Sequence, residues 1–135
     1  MNGIYVSIYP KHTNNIEKKL KNYEFRNYIP KKEIEYLIVY ETVPTCAIKY
    51  IIKLGDIVKY PDKKKENGIG NKEFNTGEKN IKYAYEIKEI KKLLNPISLK
   101  ELKEKYGFMP PQGYAYFDKY EELTKDIFNS KVINL

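Results

Sequence analysis

Among its 135 residues the chain has one cysteine, one histidine, one arginine and no tryptophan. A lone Cys46 excludes an intramolecular disulfide, and with His12 as the sole imidazole no zinc cage of the Cys/His type can be assembled. The same scarcity leaves a Ser-His-Asp or Cys-His engine only His12 as its base, and no serine or cysteine motif accompanies it. Any catalysis would lean on Lys, Glu, Asp, Thr or Tyr, and no metal or cofactor is expected. No run approaches the ~20 apolar residues of a bilayer span. The N-terminus reaches Pro10 without a signal-peptide core, so a cytoplasmic protein with no membrane partner is expected.

What is present is a chain 41% hydrophobic and 32% charged, rich enough in apolar groups for one folded domain over residues 1–135. Basic residues outnumber acids 25 to 18, a formal net charge of +7, and every cation except Arg26 is a lysine. Lysines release counterions from phosphates and the 14 tyrosines offer faces for bases, which suits a polyanionic partner. AT-rich coding would produce the same load of Lys, Ile, Asn and Tyr. Composition alone therefore does not separate a nucleic-acid binder from a bystander.

Periodicity predicts a strand over residues 4–8 stopped by Pro10, then an amphipathic helix over residues 14–21 with Ile16 and Leu20 at helical spacing. Residues 23–28 alternate as a half-buried strand that sends Glu24 and Arg26 to one face. Residues 36–40 (YLIVY) form a continuous apolar run, as in a central strand, and residues 47–60 read as a strand pair with Gly55-Asp56 as turn or bulge. Residues 61–80 are rich in Gly, Asn and Lys and read as a solvated connector. A strand follows over residues 81–90. Ser98 with Glu101 makes a capping box for a helix over residues 99–106 that Gly107 ends. Residues 114–117 suggest another strand, Asp118 can cap a final helix through Phe128, and residues 131–135 can add an edge strand.

Strands interspersed with short helices and no regular βαβ repeat predict an α+β fold, a small mixed β-barrel of about six strands with helices packed outside. Gly68-Ile69-Gly70 lacks the third glycine and the preceding strand of a dinucleotide loop and reads as a turn.

The densest signal is residues 18–26 (KKLKNYEFR), where a helix end meets a strand and cations surround one carboxylate. Here the chain resembles the ASCH domain of the PUA-like superfamily, marked by G-x-K-x-x-E-x-R across such a junction. Lys21, Glu24 and Arg26 match that pattern, and Lys19 stands where it has glycine. Ser7-Ile8-Tyr9-Pro10 is similar to the opening S-I-x-P strand, residues 37–44 to the strand leading into a T-x-P bend, and residues 67–69, 84–87 and 111–117 to later elements. The resemblance spans roughly residues 3–118. It implies a PUA-like β-barrel with a cleft beside the first helix, in a superfamily associated with RNA binding, modified-base recognition and some nucleoside or RNA hydrolysis.

Such a cleft would be positive, with the Arg26 guanidinium pointing into it and Glu24 orienting that planar fork. Lys11 and Lys19 could extend the surface along a phosphate backbone, while Lys18, Lys31 and Lys32 are candidates of the same kind. Thr42, at a strand end before Pro44, could meet a ligand. Tyr114 is a candidate stacking platform, as are Tyr9, Tyr23, Tyr28 and Tyr116. The leading expectation is a non-catalytic module for RNA or single-stranded or modified nucleic acid. One alternative is a hydrolase of a modified nucleoside or RNA, with Lys21 as base or nucleophile and Glu24 as proton carrier, although the amide-hydrolysing relatives carry threonine where Glu24 stands. Another is a protein-interaction module with a vestigial cleft. The sequence leaves the oligomeric state open.

Overall fold

The first and central strands run Gly3–Ile8 (β1) and Tyr36–Glu41 (β3) in a computed structural model, which describes residues 1–63 and 65–135. They pair in parallel, with Ile4 opposite Leu37 and Val6 opposite Val39. Both strands are apolar on both faces because both faces are covered. Ile4, Val6, Ile8, Leu37 and Val39 enter one core with Ile16, Ile52 and Tyr85, while Tyr5, Ile38 and Tyr40 enter a second with Leu102, Phe108, Leu123 and Ile127.

Around this pair the remaining strands are Tyr23–Arg26 (β2), Ala47–Lys59 (β4), Tyr83–Ser98 (β5), Ala115–Tyr116 (β6) and Val132–Asn134 (β7). The sheet order is β2-β5-β4-β3-β1-β6, with β7 joined to β5. All pairings except β1–β3 are antiparallel. The expected mixed barrel is present as a half-barrel of these strands, with short helices on the outside. The expected strand pair over residues 47–60 is one strand, Ala47–Lys59. Gly55-Asp56 is a bulge within it, where the register against β5 shifts between Leu54 and Ile57.

Among the described residues four helices accompany the sheet: Pro10–Glu17 (α1), Asn71–Thr76 (α2), Leu99–Tyr106 (α3) and Glu121–Phe128 (α4). None of them is long and apolar enough to cross a membrane. The Ser98 half of the box forms at α3, its hydroxyl accepting from the Glu101 N–H at 3.2 Å, and Gly107 ends the helix at φ 63°. Asp118 does not cap α4. It lies in a 3₁₀ turn over Phe117–Tyr120 and pairs with Lys32 at 3.1 Å.

The first helix starts four residues before the expected position, because a proline at its first position gives up only an N–H that has no partner in a first turn. It also ends earlier. Lys19 adopts φ 63°, its N–H bonds the Ile16 carbonyl at 3.0 Å, and the Leu20 N–H bonds the Asn15 carbonyl at 2.9 Å. Those two bonds make a Schellman cap with Lys19 at the left-handed position that glycine usually fills. Leu20 is consequently thrown out to 52% exposure. Because a side chain there carries a cost of about 1 kcal/mol, Lys19→Gly should raise the urea midpoint by that equivalent. An unchanged or lower midpoint would show that the lysine side chain makes contacts that offset its backbone.

The stretch of residues 61–80 is not a bare connector, residue 64 alone lying outside the described residues. It contains α2, whose Phe74 is fully buried and meets Phe25 at 5.8 Å between ring centroids. Asn71, also buried, donates to the Asn22 side chain at 3.0 Å and the Lys65 carbonyl at 2.9 Å, which ties the loop to the chain just before β2. A Cβ on Gly70 (φ 87°) would meet Phe25 at 2.7 Å, so α2 can close on β2 only with glycine there.

Candidate functional site

The Schellman turn after α1 sends the chain straight into β2, an edge strand of the half-barrel. Alternation along β2 then brings Glu24 and Arg26 to one side, where Lys21 joins them from the turn. Glu24 is 5% exposed and both its oxygens are engaged: Oε1 by the Lys21 ammonium at 3.5 Å, Oε2 by Arg26 Nη2 at 2.9 Å. The same Nη2 donates to the Ser7 backbone carbonyl at 3.0 Å. In the sheet order three strands separate β2 from β1, so this bond spans the opening of the curled sheet. Arg26 Nε is buried without a hydrogen-bond partner among the described residues.

A concavity of about 230 Å³ lies at this seam. Ser7, Ile8 and Tyr9 line it from the end of β1, His12 from the first turn of α1, Lys21, Glu24, Phe25 and Arg26 from the motif, and Lys79 and Ile81 from the segment before β5. Three cations therefore face one carboxylate. The Lys21 and Lys79 ammonium groups lie 5.2 Å and 5.3 Å from the centre of the Phe25 ring. Tyr9 stands at the rim, 65% exposed. Burial pulls the Lys21 ammonium below its ordinary pKa, against the opposing pull of Glu24. Burial and the Lys21 charge likewise lower His12, which favours the neutral imidazole.

Larger concavities carry no excess of cations. One of about 350 Å³ sets Lys11 and Lys49 against Glu17 and Glu41, and one of about 410 Å³ has Lys32 beside Glu33 and Asp118. A small dent of about 80 Å³ on the other side of Lys21 carries Lys19 and Lys88 with no acid among the described residues. Positive surface thus continues from the seam past Lys21.

Of the residues singled out in the sequence, Lys21, Glu24 and Arg26 come together, and Lys19 borders them across Lys21. Lys11 does not: with Asn14 and Glu17, each three residues on, it occupies a different face of α1 from His12. Thr42 follows β3 with a buried hydroxyl that has no partner among the described residues, outside the lining of the seam. Tyr114 packs on Tyr28 and Tyr116, at 5.1 Å and 5.4 Å between ring centroids, also outside it. Tyr9 is the candidate platform that lies at the seam. Sequence reasoning missed Lys79, in the supposed connector, and did not place His12 beside the motif.

A second buried carboxylate also went unread. Glu41, 4% exposed, accepts from the Thr13 hydroxyl and pairs with Lys49 at 3.4 Å. Burial raises its pKa, but hydrogen bonds from Thr13 and Thr45 and the Lys49 charge outweigh that and hold it below the ordinary 4.5. A carboxylate lowered on folding contributes stability that is complete above its unfolded pKa and is lost as pH falls through its folded one. Glu41→Gln should therefore cost about 1–3 kcal/mol at neutral pH, and the difference from wild type should shrink in urea titrations run below the ordinary carboxylate pKa. A pH-independent difference would assign the loss to packing.

Among the described residues, seven strands curled into a half-barrel with outer helices, entered through a helix-to-strand turn carrying Lys-x-x-Glu-x-Arg, give an α+β domain with the fold of ASCH domain structures. The chain aligns over 96% of its length, at 22% identity and TM-score 0.72, with the crystal structure of ASCH from Zymomonas mobilis, 96% of which is covered. It aligns equally with two point mutants of that protein. For a tyrosine-to-phenylalanine mutant the identity is 22% and the TM-score 0.73, covering 96% and 99% of the two chains. For a serine-to-alanine mutant the values are 23% and 0.72, covering 96% of each chain. At that identity the likeness shows the fold. No family model and no curated protein matches the sequence.

Proposed function

We infer that the protein binds RNA, or another single-stranded or modified nucleic acid, through the seam of Lys21, Glu24 and Arg26. The observation that carries this reading is the imbalance of three cations against one carboxylate around a concavity with an exposed tyrosine at its rim. Lys21, Arg26 and Lys79 engage phosphate oxygens, Glu24 holds the first two in place, and Tyr9 offers a face to a base. Lys19 and Lys88 continue the path along the backbone.

Phosphate contacts release counterions, so the affinity must fall with salt. With about three contacts to a single strand, log K should fall against log salt with a slope of about −2. Anisotropy titrations of a short labelled RNA from low to physiological salt test it. A flat salt dependence, or no binding at low salt, removes the reading.

One observation favours a second reading, hydrolysis of a modified nucleoside or RNA. The lowered pKa of Lys21 increases the share of free amine that can act as base or nucleophile, with Glu24 at 3.5 Å to carry the proton. Incubation with acylated cytidines and with RNA tests it. Turnover that disappears in Lys21→Ala would make the protein an enzyme, and intact substrate leaves the binder.

A further inference from the structure

The seam is short of free acceptors and long on donors. Both Glu24 oxygens are engaged, and the Ser7 carbonyl is taken by Arg26. Against this, and among the described residues, Arg26 Nε is buried with no partner, the Lys21 ammonium has one ion pair for three hydrogens, and Lys79 enters no ion pair. A guest must therefore bring acceptor oxygens and negative charge. The amine-bearing edge of cytosine or adenine finds few free acceptors here.

Depth and size narrow the choice. Lys21 is 7% exposed and the Arg26 side chain 15%, so their free hydrogens are reached only by a group that descends below the surface. An internal phosphodiester carries a sugar on either side, one charge and two free oxygens. A terminal phosphomonoester carries about −1.5 to −2 charges and three free oxygens, and it has chain on one side only. Three cations against one carboxylate leave two positive charges to match. The space, about 230 Å³, is below the roughly 300–1,000 Å³ of drug-sized ligand sites and suits one phosphate with part of its sugar. Tyr9 is also the residue that opens α1, with no side-chain cap, so the positive end of that helix lies at the rim.

We propose that the seam is an end-binding pocket: it takes the terminal phosphomonoester of a single-stranded nucleic acid on Lys21, Arg26 and Lys79, with the end base stacked on Tyr9. This rests on the nucleic-acid reading above and specifies its ligand.

The test uses one RNA oligonucleotide, labelled at an internal base, with a 5′-phosphate, a 3′-phosphate, or hydroxyls at both ends. At least one phosphorylated form should bind about tenfold tighter than the hydroxyl form, as an added charge at short range requires. Phosphatase treatment should abolish that advantage. Lys79→Gln alters an exposed side chain outside helix and strand, and should narrow the ratio with little change in the urea midpoint. Measurable but equal binding of all three forms overturns the end-binding proposal and leaves the nucleic-acid reading standing. No binding of any form overturns that reading itself. A phosphate preference that Lys79→Gln and Arg26→Ala both leave intact would place the end phosphate elsewhere and overturn the assignment to the seam.

Discussion

Replacing Glu24 with alanine should destabilise the protein by about 3–5 kcal/mol at neutral pH, the range found when one partner of a buried ion pair is removed. Among the described residues Glu24 is the only acid lining the seam, and its two oxygens separately hold Lys21 and Arg26. Without it two cations remain where water reaches poorly. Lys21 can shed its proton, a course its lowered pKa already favours, but the guanidinium cannot. The penalty should therefore shrink as pH rises toward the ordinary lysine range. In the variant the folded chain holds Lys21 neutral over a range where the unfolded chain still protonates it, so stability increases with pH there. Urea denaturation of Glu24→Ala and Glu24→Gln at neutral and high pH reads both effects. A loss below about 1 kcal/mol would show the cluster to be solvated and worth no more than a surface pair.

Loss of the guanidinium should have the largest effect on binding. Arg26→Ala should weaken the affinity for single-stranded RNA about 10- to 100-fold at low salt, the equivalent of one or two charge-assisted hydrogen bonds. It should also make the salt dependence shallower by about one contact. Arg26→Lys separates charge from geometry. The lysine should restore the slope but not the affinity, because an ammonium cannot supply both the bond to Ser7 and Glu24 through Nη2 and the free donor at Nε. Circular dichroism on each variant confirms that the half-barrel is intact. Equal binding by Arg26→Ala would remove the guanidinium from the interface.

The motif explains its own spacing once folded. Its glycine position corresponds to Lys19, where the chain must turn left-handed to leave α1, and Lys21 follows two residues later against the incoming strand. The remaining pair, Glu24 and Arg26, needs only the parity of a strand to share a side. Here the chain departs from the pattern at the turn and keeps its charged residues.

Local chemistry alone was enough for several features. Ser98, Glu101 and Gly107 determine α3 because every group they satisfy lies within ten residues. The apolar runs of β1 and β3, and the common side of Glu24 and Arg26, follow from side-chain period and composition in the same way. Pro10 misled for an equally local reason: it stops a strand, but it also begins a helix, and residue type does not distinguish the two. What tertiary structure decided is everything that depends on the curl of the sheet. Only that curl sets β2 opposite the end of β1, lets Arg26 reach the Ser7 carbonyl, and brings Lys79 and His12, 67 positions apart in the chain, to one concavity. Phe74 reads as a lone aromatic in a polar stretch until Phe25 and Tyr60 cover it. Hydrogen bonds that close over a few residues are written in the order of the amino acids. Charge meeting across a seam is a consequence of burial, which the whole chain determines together.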